Sequence, residues 1–172
     1  MEKLFVWFFF FLYVISMPFS SETEQTVPLD FVAEDLQLDI SQGEILENRD
    51  THSGWLGDGE SIVILSFTPE EYARLEEHLT EHWKPLPLTK NLSCSVYGEH
   101  GDNYVREPMF KDEEGNPLFD PIESGYYYFY DRFSDSTDPY SDSDLFSRSS
   151  YNFTLAILDS NAHTLQYLRF DT

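Results

Sequence analysis

The sequence predicts an α+β domain: an antiparallel β-sheet of about six to seven strands with one main helix packed on one face. Three observations point there. Thr68-Pro69-Glu70-Glu71 is a strong helix start, followed by an apolar stripe. Short runs rich in β-branched and aromatic residues recur between Gly, Pro, Ser and Asp clusters, as strands do. The chain finishes in a strand–turn–strand pattern, 151–158 and 164–170, around Asp159-Ser160-Asn161-Ala162-His163.

Taken in order, residues 1–20 stand apart from this domain. Lys3 precedes an uncharged run from Leu4 to Met17, which at helical rise covers about 21 Å. A bilayer core of about 30 Å needs about 20 apolar residues, so the run suits the core of a signal peptide. Val14-Ile15-Ser16 fits cleavage after Ser16, with Ser20 as an alternative site and a retained membrane anchor as the alternative fate. Residues 21–35 read as an acidic tether, and 36–172 as a single domain.

Within that domain Leu36 to Ile40 alternates apolar and polar, the period of a half-buried strand. Glu44 to Glu47 pairs back across the turn Ser41-Gln42-Gly43. A loop with Gly54, Gly57 and Gly59 leads into Ile62–Phe67, an apolar run expected as a central strand covered on both faces. In the helix, Thr68 and Glu71 form a capping box and Pro69 suits the first turn. Tyr72, Leu75, Leu79 and Trp83 make its stripe, and Pro85 and Pro87 stop it. Leu92–Tyr97 is expected as a strand and 99–121 as a long loop with a short hairpin at Glu114-Gly115-Asn116. The aromatic strand Tyr126–Tyr130 and the Ser/Asp-rich loop 134–150 precede the closing hairpin.

The chain has 172 residues, with 32 acidic against 10 basic side chains and a net charge of -22. That balance excludes a binder that tracks nucleic-acid phosphates and one that docks on anionic lipid through a basic patch. Cys94 is the sole cysteine, so no internal disulfide forms and the domain must rest on its core. Export without disulfides points to a bacterial protein, extracellular or on the cell surface. Asn91-Leu92-Ser93 and Asn152-Phe153-Thr154 match the glycosylation tripeptide, which arises often by chance.

Four constellations could carry chemistry. The stretch from Asp50 to Glu60 holds Asp50, His52 and Asp58, a candidate acid–base set, together with Trp55 and turn-forming glycines. No nucleophile elbow, P-loop or dinucleotide fingerprint accompanies it. Asp135, Asp138, Asp142 and Asp144 could offer oxygens to Ca²⁺, although their spacing departs from the EF-hand loop. Tyr126, Tyr128 and Tyr130 share one strand face and, with Trp55, are candidates for binding a sugar or a protein; packing under a helix is the plainer expectation. His78-Leu79-Thr80-Glu81-His82 matches the inverted zinc-protease pattern, but without a second helix for a third ligand. Cys94 reads as a small buried apolar residue. Glycosidase-type carboxylate pairs carry no signal among so many acids.

Several stretches resemble a group of small exported or membrane-anchored Firmicutes proteins. They are Asp50-Thr51-His52-Ser53-Gly54 with Gly57-Asp58-Gly59, Trp83-Lys84-Pro85-Leu86-Pro87-Leu88, and Gly125-Tyr126-Tyr127 with Asp131-Arg132. Arg148-Ser149-Ser150-Tyr151-Asn152-Phe153-Thr154-Leu155-Ala156-Ile157 and the Asp171-Thr172 ending belong with them. Ser53 departs from the pattern, which has a glycine there. The resemblance covers about residues 36–172 and implies export and one common domain, with no activity attached.

The leading expectation is therefore an exported, non-catalytic binding domain whose charge attracts a cationic protein or a cell-wall component. Nucleic acid is not an expected partner, and the membrane is one only through the leader. A small extracellular hydrolase using the His52 loop is an alternative. So is an immunity- or inhibitor-type protein whose acidic face masks a basic target. No cofactor is expected, calcium at the acidic loop being the one candidate.

Overall fold

The computed structural model describes residues 25–52, 57–112, 114–133 and 135–172. The leader expected at 1–20 and Trp55 lie outside these. Along the chain run α1 (Leu29–Leu36), β1 (Glu44–Asp50), β2 (Gly59–Ser66), α2 (Pro69–Glu77), β3 (Trp83–Pro85), α3 (Lys90–Tyr97), β4 (Glu99–Gly101), β5 (Tyr104–Arg106), β6 (Gly125–Asp131), β7 (Asn152–Asp159) and β8 (Thr164–Asp171). Six strands pair antiparallel in the order β1-β2-β8-β7-β6-β3, and β4 and β5 form a separate hairpin. The fold is α+β with helices packed on an antiparallel sheet, as the strand periods and the capped helix predicted.

The sheet is covered on both faces. On one side α1 and α2 lay Val32, Leu36, Tyr72 and Leu75 on Val63, Leu65, Tyr128, Ala156 and Tyr167. On the other, α3 and the 99–121 segment lay Leu92, Val96, Phe110 and Phe119 on Ile62, Phe129, Phe153, Leu155 and Ile157. The near-continuous apolar runs in β2 and β7 follow from this double burial.

Local chemistry explains each helix. In α2 the Thr68 hydroxyl accepts from the Glu71 amide at 3.3 Å, and the Glu71 carboxylate accepts from the Thr68 amide at 2.9 Å. The helix ends at Glu77, short of the expected stripe end. Leu79 still packs on the core, while Trp83 opens β3 and buries its ring beside Tyr128 at 5.5 Å.

Three expectations need correction. Residues 29–35, read as tether, form most of α1: Val32 and Leu36 lie one turn apart and are fully buried. Leu36–Ile40 is not a strand. The chain leaves α1 through Gln37 in the left-handed conformation, and that turn points both Leu38 and Ile40 into the core. Leu92–Tyr97 is helical, because Thr89 caps the Leu92 amide at 3.2 Å and Leu92 and Val96 share one buried face.

One glycine is obligatory for pairing. Gly125 opens β6 at φ +136°, and a β-carbon there would stand 1.9 Å from the Leu158 carbonyl oxygen.

Candidate functional site

Residues opposite one another across the strands share a face of the sheet. On the α1/α2 face, one such rung runs Trp83, Tyr128, Ala156, Tyr167, Val63, Asn48 and is almost wholly apolar. The next rung on the same face runs Tyr130, Thr154, Arg169, Ser61, Asp50 and is polar throughout. Beyond it on that face lie Asn152, Asp171 and Gly59. The candidate site is built on this change of polarity.

His52 enters the rung from the end of β1. Its Nδ1 lies 2.6 Å from Asp50 Oδ1 and its Nε2 3.2 Å from Asp171 Oδ2, so both ring nitrogens face a carboxylate. The Ser61 hydroxyl, only 3% exposed, donates to Asp50 Oδ1 at 3.2 Å and lies equally close to His52 Nδ1. Asp171 also accepts from Arg132 at 2.8 Å and from Arg169 at 3.0 Å. Arg132 further donates to Thr154 Oγ1 and to the Phe153 carbonyl. The neck of the 50–60 loop is pinned where the Thr51 amide donates to the Glu60 carbonyl at 2.9 Å. Gly59 packs against it so closely that a β-carbon would fall 2.6 Å from the His52 backbone.

The electrostatics follow from these partners. Burial works to raise the Asp50 carboxyl, but the His52 ring, the His52 amide and Ser61 outweigh it and hold the group below the ordinary carboxylate range. Burial opposes in the same way at Asp171, where Arg132 and Arg169 overcome it and hold that carboxyl low as well. Both acids are therefore ionised at neutral pH.

From α1, Asp35 reaches down to the rung. Its Oδ2 accepts from Thr154 Oγ1 at 2.7 Å and from the Tyr167 hydroxyl at 2.8 Å, with Arg169 at 3.9 Å. Burial, then the charge of Asp35, drives the Tyr167 phenol well above its usual value, so it stays a neutral donor. Because α1 crosses the polar band, it leaves a recess on either side. One is a cleft of about 640 Å³ lined by Asp50, His52, Asp58, Asp171, Arg169 and Phe31, among others. The other is a groove of about 370 Å³ lined by Phe31, Glu34, Asp35, Tyr128, Tyr130 and Tyr140, with Gln37.

The structure brings the expected Asp50, His52 and Asp58 into one cleft, with Asp58 exposed on its wall. It does not leave Tyr126, Tyr128 and Tyr130 as an open stacking face. Tyr128 is 2% exposed beneath Trp83, and Tyr126 and Tyr130 are half-buried against the same core. Among the four loop aspartates, Asp135, Asp138 and Asp144 line a small cleft of about 180 Å³. Asp142 instead accepts from Thr89, and the Asp138 side chain is occupied with the Tyr140 amide at 3.0 Å. Among the described residues no group of three or more His, Cys, Asp or Glu is placed to hold a metal ion. The inverted zinc-protease pattern straddles the end of α2: His78 Nδ1 binds the Arg74 carbonyl oxygen, while His82 stacks on Tyr140 at 3.6 Å. Cys94 is buried. Ser61, Arg169 and Asp35 carry no motif in the sequence, and Arg132 and Asp171 stand there only within the stretches that carry the resemblance; all five reach His52 or the rung through the strand register.

Fold and site together define a class: an α+β domain whose doubly covered sheet carries a polar band with an acidic cleft at one side of a crossing helix. No family model, no curated protein and no solved structure matches the chain.

Proposed function

We propose that the protein is an exported, non-catalytic binding domain that receives a cationic group of a protein or cell-wall partner in the cleft walled by Asp50, Asp58 and Asp171. The observation that carries this reading is the state of the cleft's ionisable groups. Asp50 and Asp171 are ionised but already paired with His52, Arg132 and Arg169, so the carboxylate open to a partner is Asp58, exposed on the cleft wall. Charge excess supports it further. Arg49, Lys90, Lys111, Arg132, Arg148 and Arg169 are each committed to an ion pair within the chain, so the surplus acids face outward. Such a field steers cationic partners and repels nucleic acid. An immunity- or inhibitor-type protein that masks a basic target is one form this role takes.

The hydrolase reading has one observation in its favour, the approach of Ser61, His52 and Asp171. Against it, Ser61 is buried and its hydroxyl already serves Asp50, and His52 has a carboxylate at each ring nitrogen. A general base needs a free nitrogen within reach of the proton it takes. The test is calorimetric titration of the full chain with hexalysine at low and high salt. Binding that weakens with salt and is lost in Asp58→Lys supports the proposal. Affinity indifferent to Asp58→Lys, or ester hydrolysis abolished by His52→Ala, would sink it.

A further inference from the structure

The Ser/Asp-rich segment after β6 packs around a cation that is only half paired. The Arg148 side chain is 8% exposed, and its Nη1 donates to Asp131, itself 4% exposed. Its guanidinium lies 4.7 Å from the Phe133 ring centroid, so a ring covers one face. Among the described residues neither Nε nor Nη2 has a hydrogen-bond partner, and both atoms are buried. Arg148 lines the cleft of about 180 Å³ that Asp135, Asp138 and Asp144 also line. We propose that this cleft is a binding site for a small zwitterionic α-amino acid, whose carboxylate takes the open edge of Arg148 and whose ammonium meets the loop aspartates. The site is separate from the cleft at His52 and uses none of its residues.

A buried donor without an acceptor is costly, and more so on a charged group. Water does not relieve the cost here, because neither nitrogen reaches solvent. Such a group in a native fold calls for an acceptor from outside the chain. The unpaired atoms also define the shape of what is missing. Nε–H and the adjacent Nη2–H point the same way from one edge of the guanidinium plane, the fork that the two oxygens of a carboxylate match. Asp131 and Phe133 hold that fork in one orientation before a ligand arrives.

The other walls decide against a simple anion. Asp131 balances Arg148, which leaves Asp135, Asp138 and Asp144 as net negative charge, and all three are exposed. They repel a ligand that is only an anion. A simple cation has the opposite fault, for it suits the carboxylates and leaves the Arg148 fork without an acceptor. A zwitterion satisfies both ends at once. Asp138 and Asp144 each make their hydrogen bonds through Oδ1, which leaves Oδ2 for an ammonium that brings three N–H donors. At about 30 Å³ for each water, the cleft has room for about six. That is the size of about six heavy atoms, as in alanine, and too small for a long side chain.

The experiment titrates the full chain with L-alanine by calorimetry, beside propionate, which lacks the ammonium, and ethylamine, which lacks the carboxylate. Saturable binding is expected for alanine, with each fragment weaker by about ten-fold or more. Asp135→Asn combined with Asp144→Asn changes two exposed positions and should weaken alanine by about ten-fold with the melting temperature unchanged. Arg148→Lys keeps a charge beside Asp131 but removes the fork, and should abolish binding; if that variant fails to fold, the paired aspartate substitution decides the matter. Asp58→Lys should leave alanine binding intact, which separates this site from the cleft at His52. Propionate or ethylamine binding as tightly as alanine, absence of saturation, or indifference to the paired aspartate substitution would each overturn the proposal.

Discussion

The hydrogen bond from Tyr167 to Asp35 locks α1 onto the sheet, and a double-mutant cycle measures it. Tyr167 and Thr154 are both 0% exposed, so neither hydroxyl can turn to water when its acceptor goes. A hydrogen bond to a charged group contributes about 1.5–3 kcal/mol, and a buried donor left without a partner costs about 1–3 kcal/mol. Tyr167→Phe keeps the ring and opens no cavity, so its cost should be about 1.5–3 kcal/mol. Asp35→Ala strands two donors at once, Thr154 Oγ1 and the Tyr167 hydroxyl, and should cost more. In the Tyr167→Phe background the same Asp35→Ala strands only Thr154, so its cost should fall by about 1.5 kcal/mol or more. The assay is urea unfolding of the four proteins, comparing midpoints at constant slope so that compactness is held fixed. For a domain near this size each kcal/mol also moves the melting temperature by about 2–4 °C. Single costs that add to within about 0.5 kcal/mol would refute the reasoning, since independent sites behave that way.

Acid should expose the clamp around His52. Asp50 and Asp171 both titrate below their unfolded range, near 3.9. The unfolded chain therefore takes up protons first, so the stability they contribute is complete above about pH 5 and is lost as pH falls through their folded values. Asp171→Asn should flatten the slope of stability against pH between about 5 and 2 in urea melts, and an unchanged slope counts against the clamp. Thr68→Ala removes the capping hydroxyl of α2 and should cost about 1 kcal/mol by the same measurement, whereas no change would mean the box is idle. Gly125→Ala would drive a β-carbon into the Leu158 carbonyl, so the β6–β7 pairing should lose at least about 3 kcal/mol; near-native stability would contradict that strand register.

What the sequence disclosed was what neighbouring residues decide. The capping box at Thr68, the alternation in Tyr126–Tyr130 and the final hairpin each depend on a few adjacent side chains, and each stands in the structure. In that hairpin Asp159 caps the Asn161 amide at 2.7 Å, turn chemistry already visible in Asp159-Ser160-Asn161. By contrast α1 was masked by Asp30, Glu34 and Asp35 and by Pro28, which offers no capping side chain. Its Leu29, Val32, Leu36 spacing was the signal available. In α3, Thr89 ahead of Leu92 and Val96 carried the same signal, outweighed by a short run that also suits a strand. Half of the site was legible, Asp50, His52 and Asp58 on one loop. The other half required knowing that β8 lies between β2 and β7, a pairing that sets Asp171 beside His52 from 119 residues away.

The polar band also separates residues that hold the fold from residues free to meet a ligand. A rung of polar side chains beneath a helix survives only if its members satisfy one another, because each unpaired buried group is costly. At the centre they do. Thr154, Tyr167, Arg132, Arg169, Asp171, Asp50 and Ser61 close a continuous chain of hydrogen bonds with Asp35 and His52. Such groups are positioned and neutralised by each other, so substituting them should change stability first. Where the band runs out on either side of α1, Asp58 in the cleft and Glu34 on the groove stand exposed. Substituting an exposed position leaves the band intact, which is why Asp58→Lys isolates the proposed cleft from the fold. The pairing of His52 with two carboxylates belongs to the same network that fixes the walls of the cleft, and a site ordered in advance spends less on ordering when a partner arrives.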